Sequence, residues 1–294
     1  MHNSNSTEKS FVSNSGLLPD IRYFAEYSGL TNNISTEFTV NSHKIFLPIE
    51  KQHNSAVIHP RSFASDLYIE NSDFAVSDPF KNILSELVGY LKHINIPELI
   101  VKPIPDYIFP TYATLFESFK KEFILTSVIH SDYFQLSNRR FRQLKNAKKE
   151  GYKVTKCSGE DIDKTWNLIS GFLNSRGLFA LPINRIRFLL KTYPAIFSLF
   201  QVVDNSQTII GACLVQDIGR CRRIPNYFAL KEFPGAIDLL LNEVIESAFS
   251  QKISMVDLGI SSDPKTEMEI QGIVQFKSEF SAERLKINRY ILKF

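Results

Sequence analysis

The chain has 294 residues, with 34 Lys+Arg against 31 Asp+Glu for a net charge of +3. Hydrophobic residues make up 44% and Phe alone numbers 24, which excludes a disordered, collagen-like or coiled-coil chain. The length fits about two domains of roughly 150 residues each, and so small a charge does not by itself imply nucleic-acid binding. Cys157, Cys213 and Cys221 are too few and too scattered for a disulfide framework or a zinc site, so they read as reduced thiols and no metal is expected. No apolar run reaches the ~18 residues of a membrane span, and no apolar segment follows MHNSNSTEKS to make it a signal peptide. The expectation is a soluble cytoplasmic protein of two units.

Residues 1–16 are Ser/Asn-rich and read as a flexible tail. Ile21–Tyr27 fits a short helix, Phe38–Val40 and Lys44–Ile49 fit strands, and Asn54–Ser77 reads as loop with Tyr68–Glu70 extended. Asp78 and Pro79 then open a helix as an acidic N-cap and a first-turn proline, followed by Ile83, Leu84, Leu87, Val88 and Leu91 at helical spacing. Asn95 and Pro97 stop it, and Glu98–Lys102 is a short apolar strand. A helix over about Tyr112–Glu122 and a strand around Ser131–Leu136 are expected next.

A shift of 157 positions aligns Ile83 with Leu240, Leu87 with Val244, Leu99 with Val256, Val101 with Leu258 and Tyr133 with Tyr290. The helix-strand-helix-strand order therefore recurs, which predicts a duplicated α/β unit. Between the copies, Asn138–Val154 reads as a basic helix with Arg139, Arg140, Arg142, Lys145, Lys148 and Lys149, an apolar stripe and Gly151 as C-cap. Either it is a solvated bridge between domains or it contacts phosphate or tRNA.

In the second half, Asp161–Leu173 and Pro182–Thr192 read as helices. Phe197–Val203, Thr208–Asp217 and Arg222–Leu230 read as three antiparallel strands, then Ala236–Phe249 as a helix, Met255–Leu258 as a strand, Gly272–Phe280 as a helix and Asn288–Leu292 as a strand.

That order resembles the GNAT acyltransferase fold. DLGISSD (Asp257–Asp263), GIVQFKSEF (Gly272–Phe280) and a last strand with Tyr290 are similar to the Fem-like branch of that superfamily, which includes bacterial peptidoglycan-bridge aminoacyltransferases and other acyltransferases. VKPIP (Val101–Pro105) resembles the end of its first unit, and RRFRQLKNAKKEG its inter-domain helix. The resemblance implies an α/β (α+β) protein of two tandem GNAT-like units, each a mixed central sheet flanked by helices. The units would cover residues 17–137 and 155–294, joined by the basic helix 138–154. It further implies transfer of an acyl group from acyl-CoA or acyl carrier protein to an amine, by direct attack and with no cofactor beyond the donor. The acceptor would be a small-molecule amine or a cell-envelope precursor. An aminoacyl-tRNA donor, and a binding protein without catalysis, are the alternatives.

Several residues are candidates for this chemistry. Lys277 sits in the FK pair that resembles the family motif, where a lysine stabilises the transferred or leaving group; otherwise it is a surface lysine on an amphipathic helix. Asp257 at a strand end orients the acceptor amine or serves as base, or else caps the turn at Gly259. Asn226 and Tyr227 lie on the strand that in GNAT folds parts from its neighbour to admit the donor. Leu230, Gly235 and Ala236 belong to the turn expected to hold the donor's pyrophosphate. That turn, LKEFPGA, has one glycine, an acid and a proline where GNAT enzymes have a basic Gly-rich run. In the first half, His59 and Arg61 in a loop, and Lys102 at a strand end, are candidates for acceptor binding.

Overall fold

The computed structural model describes residues 34, 36–40, 43–47, 49–58, 68–69, 78–101, 119–178, 180–218, 220–262 and 268–294. The expected tail, the helix expected at Ile21–Tyr27, His59, Arg61, Lys102, Pro103–Pro105, residues 112–118 and Asp263 lie outside them. The chain forms two compact units: Met1–Glu122 with Asn288–Phe294, and Phe123–Ile287.

In the first unit, β1 (Thr36–Val40), β2 (His43–Leu47) and β5 (Tyr68–Ile69) form a small sheet in the order β1-β2-β5. A hairpin of β3 (Ile49–Gln52) and β4 (Ser55–Ile58) begins a second sheet. β4 falls in the stretch read as loop from its sequence; at four residues, it is too short for an alternation to register. Helix α1 (Asp78–His93) carries the chain across to β6 (Glu98–Val101), which pairs parallel with β4 from Ser55↔Glu98 through Ile58↔Val101. The apolar stripe of α1 buries Leu87 and Leu91 against Ile49, Ala56 and Leu99. The other edge of β6 takes residues 290–293 of β13 (Glu283–Lys293), antiparallel, with Tyr290 fully buried opposite Val101.

In the second unit the strand order is β7-β12-β11-β10-β9-β8. β7 (Lys120–His130) corrects the expected helix at Tyr112–Glu122 over its last residues and the expected strand at Ser131–Leu136. Ser131–Tyr133 is instead a 3-10 turn. The β-branched run of β7 around Thr126, Val128 and Ile129 outweighs the helix-compatible Lys120-Lys121-Glu122 that leads into it. Helix α2 (Asn138–Lys149), capped by the Ser137 hydroxyl accepting the Arg140 amide, is the basic segment. It is no bridge between the units: it lies within the second one and packs Leu144 and Ala147 into the core shared with α5 (Ala236–Ser250).

The remaining elements fall close to their expected places: β8 (Lys153–Lys156), α3 (Asp161–Ser175), α4 (Ile183–Thr192), β9 (Phe197–Val203), β10 (Ile209–Ile218), β11 (Cys221–Ala229), β12 (Met255–Ile260) and α6 (Gln271–Ser278). β10 buries both faces. Cys213 and Val215 join the α5 core, while the alternate residues Ala212 and Leu214 point the other way. Trp166 on α3 is buried with its indole N–H donating to Leu181 O at 2.8 Å. Helix α5 crosses from β11 to the parallel β12, as α1 crosses from β4 to β6.

Among the described residues the crossover helix and its parallel strand recur, with one twist. The 157-residue shift holds for the crossover helices and β6/β12, but β7 and β13 match at 163 (283 − 120). Tyr133 and Tyr290 are not equivalent, since the first is exposed in the 3-10 turn and the second is buried in a strand. The terminal strands are also exchanged. β7, which follows β6, pairs with β12 of the second unit, and β13, which follows β12, pairs with β6 of the first. A boundary at residue 137 consequently does not describe either compact unit.

Candidate functional site

β11 and β12 run parallel through only three pairs, Cys221↔Met255, Arg222↔Val256 and Arg223↔Asp257. Beyond these the two strands pair no further, although β11 continues to Ala229 and β12 to Ile260. Two residues explain the parting. Pro225 brings no N–H to extend a ladder, and the β10–β11 register shifts beside it, between Leu214 and Gln216. Gly259 turns β12 with φ of +76°, a conformation open to glycine, and the β12–β7 register shifts between Asp257 and Ile260.

Asp257 lies at the apex of the parting, and its side chain has no exposed surface. Its Oδ1 accepts from the Thr126 hydroxyl at 2.5 Å and from the Gly259 amide at 2.8 Å. Its Oδ2 accepts from Arg223 Nε at 3.2 Å. The turn-capping role anticipated for this aspartate is thus present in its bonds.

Lys277, on α6, is buried to 2% exposure. Its Nζ donates to the carbonyls of Gly259 and Ile260, both at 2.7 Å. An amphipathic surface lysine is therefore not its setting. Burial pulls its ammonium down to about 8, against the nearby Asp257 carboxylate, which holds it up. An ammonium has three N–H groups; with two on carbonyls, one remains to donate to an oxyanion.

Tyr227, half-buried on β11, stacks on Phe276 of α6 at 6.3 Å between centroids, next in sequence to Lys277. Burial, with Asp257 nearby, pushes its phenol far up, so it stays a neutral hydroxyl. Asn226 precedes it, on the part of β11 that has left β12. The structure thus gathers Lys277, Asp257 and Tyr227, with Thr126, Arg223 and the Gly259–Ile260 carbonyls as members that the sequence reading had not assigned.

The turn expected to hold the donor has a different character. The amides of Leu230 and Ala236 already donate to Ile210 O and Phe233 O. Gly235 has φ of +81°, and a Cβ there would lie 2.4 Å from the Gln143 carbonyl of α2, so this glycine serves a close backbone approach. Asp238, buried in the first turn of α5, places a carboxyl where a free helix start would favour an anion. Burial raises its proton affinity and Arg140 opposes this through a 3.1 Å contact. Arg140 also donates to Glu279 at 2.6 Å and lies 4.3 Å from the Phe276 ring centre, which pins α6 to α2 and α5.

Other candidates are settled by burial. All three cysteines are free and buried, and desolvation pushes their thiols up, Cys157 to about 11, away from nucleophile chemistry. Among the described residues, no helix is long and apolar enough to cross a membrane, and no cluster could hold a metal ion.

A mixed sheet whose parallel pair β11–β12 parts beside a crossover helix is the arrangement that the resemblance to GNAT folds implies. Solved structures make this concrete. FemX shares the fold with a TM-score of 0.67 at 11% identity, over all of this chain and 97% of that one. L-PGS from Bacillus licheniformis follows at 0.62 and 11%, over 96% and 89%. The C-terminal DUF2156 domain of a putative lysylphosphatidylglycerol synthetase from Agrobacterium fabrum gives 0.61 and 11%, over 87% and 84%. The chain thus shares its fold with FemX, in line with the Fem-like motifs that it resembles. No protein-family model and no curated protein matches it in sequence.

Proposed function

We propose that the protein is an acyltransferase that moves an acyl group from an activated donor to an amine, at the parting of β11 and β12. The observation that carries this is the buried Lys277 ammonium held on the Gly259 and Ile260 carbonyls at the end of β12. Attack of an amine on a thioester or ester builds a tetrahedral oxyanion, and a fixed cation in a site shielded from water stabilises it strongly. Tyr227 and Asn226 would line the donor's path, and direct attack needs no covalent enzyme intermediate.

The turn favours a second reading of the donor, aminoacyl-tRNA in place of acyl-CoA or acyl carrier protein. With the Leu230 and Ala236 amides occupied and Asp238 at the helix start, a pyrophosphate finds little there. The outer face of α2 instead exposes Arg139, Arg142, Lys145 and Lys149 near Phe141, a surface suited to a nucleic-acid backbone. The fold neighbour named as a putative lysylphosphatidylglycerol synthetase also favours an aminoacyl donor. Three buried free thiols support a reducing, cytoplasmic setting.

The test is a thermal-shift and transfer assay with acetyl-CoA, long-chain acyl-CoA, acyl carrier protein and charged tRNA, with amine acceptors. A donor at ~100 times its Kd stabilises by about 2.7 kcal/mol. Stabilisation and transfer with charged tRNA alone support the second reading, while silence with every donor overturns acyl transfer.

A further inference from the structure

We infer that Asp257 is a positioning residue rather than the reaction's base: its carboxylate fixes the Gly259 turn whose carbonyls carry the Lys277 amine. The inference deepens the acyl-transfer reading of the same site and rests on it for its consequence in catalysis. A base must meet the acceptor's proton, yet Asp257 has no exposed side-chain surface. Both of its oxygens are engaged, Oδ1 by Thr126 and the Gly259 amide, and Oδ2 by Arg223.

What Asp257 does touch leads directly to Lys277. Glycine populates positive and negative φ with similar ease, so an unanchored Gly259 would swing its carbonyl through many directions. The 2.8 Å bond from the Gly259 amide to Oδ1 holds φ at +76°. In that conformation the Gly259 and Ile260 carbonyls both lie 2.7 Å from Nζ. Thr126 on β7 and Arg223 on β11 hold the carboxylate from either side, at the last pair before β11 and β12 part. The charged and titratable groups around this point are Asp257 on β12, Cys221, Arg223 and Tyr227 on β11, and Lys277 itself.

The chain from Thr126 and Arg223, through Asp257 and Gly259, to Lys277 predicts two responses of opposite sign. Asp257→Asn keeps an oxygen for Thr126 and Gly259 but removes the negative charge, so the Lys277 proton is held less tightly. Arg223→Gln removes a positive charge and leaves the carboxylate, so that proton is held more tightly.

The experiment follows the 13Cε resonance of Lys277 against pH in substrate-free full-length protein, assigned with Lys277→Met. The expected result is a midpoint lowered by about one pH unit in Asp257→Asn and raised in Arg223→Gln. In transfer assays with the donor that serves the wild type, kcat of Asp257→Asn falls roughly 10- to 100-fold with KM for the donor unchanged. A Lys277 midpoint that is the same in both variants and the wild type overturns the inference. So does loss of all transfer in Asp257→Asn with Lys277 titrating normally, the signature of a base. If the wild type transfers from no donor while the midpoints shift as stated, the positioning stands and the acyl-transfer reading falls.

Discussion

The two units build the same crossover around different residues. In the first, β4 and β6 pair in parallel from Ser55↔Glu98 to Ile58↔Val101. In the second, β11 and β12 pair for three residues and then separate. Position 100 of the first unit, which the 157-residue shift matches to Asp257, is an isoleucine. The first copy thus carries an apolar residue where the second carries a buried carboxylate. In the second, β11 and β12 pair just long enough to bring Arg223 to Asp257, and then separate.

The largest effect expected on this contrast comes from the first copy. Tyr290→Ala empties a fully buried position beside β6 and should cost ~3–5 kcal/mol in chemical denaturation. Hydrogen exchange should show the loss in β4 and β6 before β10 and β11.

In the second copy, Lys277→Met should lower transfer by ~100- to 1,000-fold, as loss of an oxyanion donor does. Its stability signature has a definite sign. The folded chain releases the Lys277 proton near 8 and the unfolded chain near 10.5, so the unfolded state binds more protons between those values. Wild-type stability therefore carries the burial penalty in full below pH 8 and rises relative to Lys277→Met between pH 8 and 10.5. The gap corresponds to ~3 kcal/mol over the whole window, measured as the difference between two denaturation-versus-pH curves. With the ammonium as the active form, kcat should descend above pH 8.

Gly235→Ala tests the turn. A Cβ against the Gln143 carbonyl, at a positive φ, should cost ~2 kcal/mol and loosen α5 from α2, seen as a lower Tm. Gly259→Ala should be milder in stability, ~1 kcal/mol, because no neighbour meets the new Cβ and only the positive φ is strained. Its transfer rate should fall well beyond what that destabilisation explains, since the carbonyls that hold Lys277 move.

Much of this architecture was legible in the sequence. Pro79, Pro97 and the i, i+3, i+4 spacing located α1, and the whole second half from α3 to α6 follows its apolar periods. The Lys277 motif led to the right helix, though not to a buried amine. Local pattern failed where partners are distant. Nothing in the sequence of β7 says that it belongs beside β12, nor in that of β13 that it belongs beside β6. Arg140 reads as one more cation in a basic run, yet it is the buried one, because its partners Asp238 and Glu279 come 98 and 139 residues later. Arg223 likewise sits beside other arginines in sequence, while its partner Asp257 is 34 residues on. Pro225 inside a strand and a glycine two residues after a strand-end aspartate were the available signs that the strands part.

The exchanged strands also set the order in which a newly made chain can fold. Val101 meets its partner Tyr290 only after about 190 further residues have been synthesised (290 − 101), roughly 10–40 s of translation. Residues 123–287, in contrast, are contiguous and hold their own partners. The half made first must therefore wait, with the apolar edge of β6 uncovered, while the half made later completes itself. The interval is one in which a chaperone, or the neighbouring chain on the same message, competes for that edge.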